Sequence, residues 1–148
     1  MRVSKERILG QIGKGFNILL FAIATGKIGT STVALGGILG CYEEALAYAN
    51  SRMHRNKPIA QFQAIQLKIA RLYTLHRTAS LLCYQLGQSA NNIKDPAWFA
   101  REAALVKGYV SDANMEAAQI SVAIHGSYGV MDDYDVSRYY RDASIAPI

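Results

Sequence analysis

A chain of 148 residues that is 51% hydrophobic, 18% charged and +5 at neutral pH fits one domain and is too apolar for a disordered tail. Three prolines and plentiful Ala, Leu and Ile favour helices over a β-sandwich. The positive excess suits phosphate-bearing partners or plain solubility, but no basic stripe with interleaved aromatics marks a nucleic-acid surface.

The first residues, Met1 to Arg7, are charged and lack a signal-peptide apolar core, so no leader peptide is expected within the chain and secretion is not expected. Residues 1–14 read as extended or irregular, punctuated by Gly10 and Gly13. A first long helix is predicted over 15–50, where Leu35, Ile38 or Leu39, Tyr42, Leu46 and Ala49 recur at helical spacing. Its first half is rich in Gly and Thr, so tertiary packing must hold it. Gly36 and Gly40, four apart, are expected on one face that another helix approaches closely. Residues 15–42 carry the single charge Lys27 and mimic a membrane span. A lysine at a span's centre costs about 2.5–3.5 kcal/mol, and each uncharged piece beside it falls short of the ~18 residues a span needs, so a buried soluble helix is expected instead.

Ser51 to Pro58 reads as a polar loop, with Pro58 suited to the first turn of a second helix over 59–87. Phe62, Ile65, Ile69, Leu72, His76, Ala79, Cys83 and Leu86 form its core seam, and Gly87 is the expected C-terminal cap. Asp95 as N-cap and Pro96 at the first position open a third helix over 96–125. Its seam runs through Phe99, Ala103, Val106, Val110, Ala113, Ala117, Ile120 and Ile124. A glycine-bearing turn, Gly126 to Gly129, precedes a short helix over 135–143, which ion pairs among Asp132, Asp133, Asp135, Arg138, Arg141 and Asp142 are expected to fix. Cys41 and Cys83 stand far apart in apolar surroundings and read as buried free thiols, in keeping with a reducing compartment. Neither they nor the histidines are spaced as metal ligands. The expected fold is therefore all-α: one domain over 1–148, an antiparallel bundle of three long helices plus a short fourth.

Several segments, in order, are similar to one known family. Ile124-His125-Gly126-Ser127-Tyr128-Gly129-Val130 followed by Asp133, Arg138 and Asp142 resembles the C-terminal signature of flavin-dependent acyl-CoA dehydrogenases. Gly13-Lys14-Gly15-Phe16 resembles the junction between that family's middle β-domain and its helical domain, so 1–14 reads as a linker from a β-domain. Lys27-Ile28-Gly29 corresponds to a stretch on the family's first long helix. Arg52, Lys57-Pro58-Ile59 and Phe62-Gln63-Ala64-Ile65-Gln66 correspond to an Arg-x-Gln-Phe-Gly-Lys-Pro-Ile linker and the helix start after it. Each match is weak alone; together they span nearly the whole chain.

The resemblance implies an FAD-dependent α,β-oxidation of acyl-CoA thioesters, with this chain as the C-terminal helical domain. It implies cofactor contacts at Arg52, His54, Gly126, Ser127 and Gly129. Arg52 reads either as a bidentate phosphate clamp or as a solvated loop arginine. Departures from the family pattern surround these positions: His54 replaces Gln or Thr, Arg55 replaces Phe, Asn56 replaces Gly, Ala123 replaces a glutamine and Ser127 replaces a glycine.

No catalytic residue is assigned. By the family register the usual catalytic glutamate would fall about two residues past Ile148, and the alternative position on the first helix is Gly26. Glu43, Glu44, Glu102 and Glu116 fall on helical positions that read as solvated faces. The resemblance thus implies a homo- or hetero-oligomer that contributes flavin-contact and oligomer surfaces, binds FAD weakly or not at all by itself, and resides in the cytoplasm or mitochondrial matrix. The alternative is a degenerate, non-catalytic subunit with a structural or assembly role in a larger complex.

Overall fold

The computed structural model describes residues 3–147; Met1, Arg2 and Ile148, the ends of the range read as one domain, lie outside the described residues. The chain is an all-α antiparallel bundle of α1 (Gly15–Ser51), α2 (Gln63–Ala90) and α3 (Pro96–His125), with the short α4 (Asp135–Ala143) packed against α3 and α1. A single 3-10 turn, Lys5–Arg7, interrupts the otherwise irregular start. Between α1 and α2 lies a small antiparallel hairpin of β1 (Met53–His54) and β2 (Lys57–Pro58), followed by a 3-10 turn over Ile59–Gln61.

Helix boundaries follow from local chemistry. Asp95 Oδ1 accepts from the backbone N–H groups of Ala97 (2.9 Å) and Trp98 (3.1 Å), which fixes the start of α3 with Pro96 in its first turn. Gly87 does not end α2, which runs on to Ala90 with Asn91 as its cap. No side chain crowds Gly87 and no proline follows until Pro96, so the helical ladder continues through it. Pro58 belongs to β2 with extended geometry (ψ 143°), and the helix begins only at Gln63, after the extended Phe62 (ψ 129°).

The polar loop of the sequence is therefore a hairpin. Its two turn residues, Arg55 (φ 49°) and Asn56 (φ 62°), are both left-handed, the pattern of a type I′ turn whose twist matches that of the strands. Asn tolerates this region, whereas Arg seldom adopts it, and so the turn carries no ordinary sequence signal.

Small side chains set the centre of the bundle. The buried stripe of α1 is Ala24, Ser31, Ala34, Ile38, Cys41, Ala45 and Ala49, while Leu35, Tyr42 and Leu46 flank it half-buried. Ile38 and Ala49 of the expected seam are buried, but Ala34, Cys41 and Ala45 take the inward places expected of Leu35, Tyr42 and Leu46. The observed seam is instead the one that lets α1 lie close against Ala113, Ala117, Ala118 and Ser121 of α3. The glycines at the close approach are Gly37 and Gly40 rather than Gly36. A Cβ on Gly37 would meet Asn114 Oδ1 at 2.5 Å, one on Gly40 would meet Tyr139 Cζ at 3.1 Å, and one on Gly36 would meet nothing. Ile38, Leu72, Leu75, Phe99 and Val110 supply the bulk of the core. Leu75 takes the inward position next to His76, which is only half-buried and lies 3.4 Å from Ser80 Oγ.

Both thiols are buried and free, and burial pushes Cys41 up to about 12. α1 is also long and apolar enough to cross a membrane: its most apolar window has mean hydropathy 1.6 and is 17% buried, because Phe16, Leu19, Leu20, Phe21 and Ile23 point away from the bundle.

Polar contacts lock the outer surfaces. Arg71 grips Glu116 through two nearly parallel bonds (Nε–Oε1 2.7 Å and Nη2–Oε2 2.9 Å), so this glutamate joins α2 to α3 instead of standing free. Arg138 pairs with Asp135 (3.0 Å) and Asp142 (3.9 Å), and Arg141 with Asp132 (3.3 Å), which pins α4 to the turn before it.

Two tests follow from this packing. Gly129 lies where a Cβ would meet the Val122 carbonyl oxygen at 2.6 Å and Val122 Cα at 3.0 Å. Gly129→Ala must shift backbone and is expected to lower urea-unfolding stability by about 2–3 kcal/mol. The hydrogen bonds from Arg71 hold Glu116 below the usual carboxylate range. A lowered folded pKa adds stability that is complete above the unfolded value (~4.3) and is lost as pH falls through the folded one. Glu116→Gln should cost about 0.5–1 kcal/mol at pH 7, since the pair is solvent-exposed. The difference between mutant and wild type should close in acid.

Candidate functional site

The C-terminal end of α1, the hairpin and the C-terminal end of α3 meet around a cavity of about 250 Å³. Arg52 stands at its rim. As the C-cap of α1, its N–H donates to the Tyr48 carbonyl (2.8 Å), and its own carbonyl accepts from Ile59 N–H (2.9 Å), so the stem of this residue is fixed at both peptide groups. Its guanidinium lies over the Tyr128 ring, 5.2 Å from the centroid, and enters no ion pair among the described residues. A charge-bearing fork with its N–H groups uncommitted is chemically matched to phosphate or carboxylate oxygens.

His54 reaches the same cavity from β1, its ring 5.7 Å from Phe62, over which Lys57 Nζ also sits at 4.3 Å. Opposite, α3 ends at Gly126, whose φ of 62° and ψ of −134° suit glycine. A Cβ there would meet nothing within 4 Å, so the space in front of this backbone is open to a ligand. Ser127 follows, exposed, in the 3-10 turn Gly126–Val130.

The cavity thus gathers Arg52, His54, Gly126 and Ser127. Gly129 does not line it. That glycine is buried against Val122 and borders a separate depression of about 400 Å³.

Tyr48, His125 and Tyr128 also line the cavity, as part of an aromatic cluster that the sequence did not disclose. The Tyr48 ring stacks on His125 (centroids 4.1 Å apart, 26° between planes), and Tyr134 meets both edge-on at 5.9 and 5.7 Å. Tyr128 packs on Tyr134 at 5.6 Å. His125 is buried, and its Nδ1 lies 2.8 Å from the Ser121 carbonyl. A carbonyl only accepts, so Nδ1 carries the hydrogen and donates it to Ser121. Burial raises the Tyr48 phenol above its ordinary range, with the charge of Arg52 opposing that rise. The only local sign of this cluster was the placing of Tyr48 four residues before Arg52 and Tyr128 two after Gly126.

A second, larger cleft of about 1160 Å³ opens between the first half of α1, α3, α4 and the segment after it. Ile23 and Val33 give it apolar walls, Gly26 and Gly29 keep its floor low, and Lys27, Asn114 and Arg138 add polar points. Tyr139 is packed over Gly40, and burial holds its phenol above the usual range. Asp142 is the carboxylate among the residues lining this cleft, but it is 68% exposed and faces Arg138 at 3.9 Å. A base for a weakly acidic carbon needs a dry carboxylate, and Asp142 is washed by solvent. Gly26, with no side chain, supplies none.

Comparison with known proteins gives the family of the chain. The model of the acyl-CoA dehydrogenase C-terminal domain matches residues 13–148. Among curated relatives, the acyl-CoA dehydrogenase of Bacillus subtilis is 36% identical over 146 residues, which cover 99% of this chain and 38% of that protein. The caffeyl-CoA reductase-Etf complex subunit CarC of Acetobacterium woodii is 35% identical over 148 residues, covering 100% of this chain and 38% of that protein. The structure of butyryl-CoA dehydrogenase from Megasphaera elsdenii superposes with a TM-score of 0.94 at 34% identity, covering 99% of this chain and 37% of that one. The chain therefore spans a little over a third of the length of the relatives it matches. On this evidence the chain belongs to the acyl-CoA dehydrogenase family, as its C-terminal helical domain.

Proposed function

We propose that this chain is the helical part of a flavin-dependent enzyme that removes or adds hydrogen across the α,β-bond of an acyl-CoA thioester. The observation that carries this reading is the convergence of Arg52, His54, Gly126 and Ser127, from well-separated parts of the sequence, on one cavity. A diphosphate fits it chemically: one uncommitted guanidinium, one imidazole, one hydroxyl and one backbone turn with open space before it. At about 250 Å³ the cavity is below the ~300–1,000 Å³ of a whole drug-sized ligand. It suits the diphosphate portion of FAD, with the remainder held by other domains or a partner subunit.

When bound, the flavin supplies the hydride-accepting ring. Arg52 balances phosphate charge, and the open backbone at Gly126 permits close approach. Ile23 and Val33 give the larger cleft apolar walls that other domains would close, and the acyl portion rests there above Gly26, beside Lys27. The α-proton goes to a carboxylate outside residues 3–147, since none of those lining the cleft is dry. Both reading directions are open to the chemistry, as the names dehydrogenase and reductase among its relatives suggest.

The exposed apolar half of α1 is, in this reading, a docking surface for the remaining domains rather than a membrane span; the burial of its second half in the bundle supports this. Residues 1–14 then act as the linker to a β-domain. A homo- or hetero-oligomer completes the flavin site, and CarC, named as part of a reductase-Etf complex, supports an assembled state. Two free buried thiols suit the cytoplasm or mitochondrial matrix. The second reading, a non-catalytic structural subunit, is favoured by Gly26, Ala123, Ser127 and the Arg55–Asn56 turn, all of which remove or reshape expected contacts.

Flavin content separates these readings. The purified chain alone should show no stoichiometric FAD by its visible absorbance and no turnover of an acyl-CoA thioester. Supplied with a polypeptide carrying the other family domains, it should bind FAD, and Arg52→Ala should weaken that binding at least tenfold, as expected for losing a charged hydrogen-bonding group worth about 1.5–3 kcal/mol. Tight FAD in the isolated chain would contradict the shared site. An assembled complex that holds FAD yet never turns over would support the structural subunit.

A further inference from the structure

Arg52 enters no ion pair, and neither do Arg55, Arg77 or Arg101 among the described residues. The other arginines that face carboxylates are spent on them: Arg71 on Glu116, Arg138 on Asp135 and Asp142, Arg141 on Asp132. Arg52 lies over a ring, as Arg138 does over Tyr139 at 4.9 Å, but Arg52 does so without a carboxylate partner. Its peptide groups are tied to Tyr48 and Ile59, and its guanidinium lies 5.2 Å from the centroid of Tyr128. Tyr128 itself is not free to swing, because Tyr134 packs on it at 5.6 Å and Tyr134 is wedged against Tyr48 and His125. The turn that carries Tyr128 is anchored by Gly129, which seats directly on the Val122 backbone.

We infer that Tyr128 is a positioning residue for the phosphate-binding site: its ring face fixes the Arg52 guanidinium toward the cavity while leaving its N–H groups unspent. This rests on the diphosphate reading of the cavity and adds the element that makes the clamp ready in advance. An aromatic face attracts the cation through its quadrupole but accepts none of its in-plane N–H hydrogens, whereas a carboxylate would compete with the ligand for them. A flexible arginine loses rotamer freedom when it binds; one already laid on a ring loses less. The contact runs between the C-terminus of α1 and the turn after α3, so it also couples the two ends that define the cavity.

The test uses the 148-residue chain, with ADP as the probe for the diphosphate half of the cofactor. Two readouts are followed by NMR: the Arg52 Nε–Hε resonance, which a ring face shifts upfield, and the dissociation constant for ADP from titration. Wild type should show the upfield resonance and weak, saturable ADP binding that Arg52→Ala abolishes. Tyr128→Leu should return the resonance towards the exposed-arginine position and weaken ADP about fivefold, the scale of a partly exposed cation–π contact. In the Arg52→Ala background, the same change should do nothing further. Tyr128→Phe keeps the face and should restore both readouts, while Tyr128→Trp should tighten ADP relative to Phe. The Phe and Trp variants decide the matter if Tyr128→Leu does not fold.

Failure is specific. If wild type binds ADP through Arg52 but Tyr128→Leu binds equally well, or Trp and Phe do not differ, the positioning role is overturned and the diphosphate reading stands. If ADP does not bind wild type, or binds Arg52→Ala unchanged, the diphosphate reading itself falls and takes this inference with it.

Discussion

The close approach of α1 to α3 is the constraint on which the rest of this molecule depends. Large side chains would hold the two helices apart. Ala34, Cys41, Ala45 and Ala49 on one side, with Ala117, Ala118 and Ser121 on the other, remove that bulk. Small residues contribute little hydrophobic area each, so α2 must provide larger ones: Leu72, Leu75 and Leu86 close the far side of the core. The seam has a direct effect on the site. It brings the last turn of α1, with Tyr48 and Arg52, level with the last turn of α3, with His125 and Gly126. A bulkier seam would part these two turns and open the cavity into a surface.

Charge is distributed with similar economy. Acidic residues collect around α4, where they neutralise Arg138 and Arg141 and stiffen the turn that leads into that helix. At the hairpin the pattern inverts: Arg52, His54, Arg55 and Lys57 stand within six residues and meet no carboxylate. Aromatic faces take the place of counter-ions there, Tyr128 under Arg52 and Phe62 under Lys57. A surface arranged in this way remains electropositive, which is what an anionic ligand requires and what a purely structural loop does not.

Much of the fold was legible because it is written in local periodicity. The seams of α2 and α3 repeat at three- and four-residue steps, and Asp95-Pro96 announces a helix start that the hydrogen bonds to Ala97 and Trp98 realise. The errors have physical causes. On α1, hydrophobicity pointed to Leu35 and Tyr42, but packing distance selected the smaller Ala34 and Cys41 beside them. At Arg55–Asn56 two left-handed residues form a hairpin turn without the Asn-Gly pair that usually signals one. Arg52 and Gly126 were singled out through resemblance, whereas the stack of Tyr48 on His125 joins residues 77 positions apart and has no one-dimensional trace. Gly129, grouped with the binding residues by its motif, lies against Val122 and outside the cavity.

The outward-facing half of α1 has a consequence for how the chain behaves in solution. Phe16, Leu19, Leu20, Phe21 and Ile23 form an oily ridge on a molecule whose +5 charge makes its copies repel one another. Repulsion between exposed charges reaches about 10 Å at 0.1 M salt and about 3 Å at 1 M. Raising ionic strength therefore strips away the barrier that keeps these ridges apart while leaving their attraction intact. The uncovered domain is a colloid that dilute buffer disperses and brine gathers.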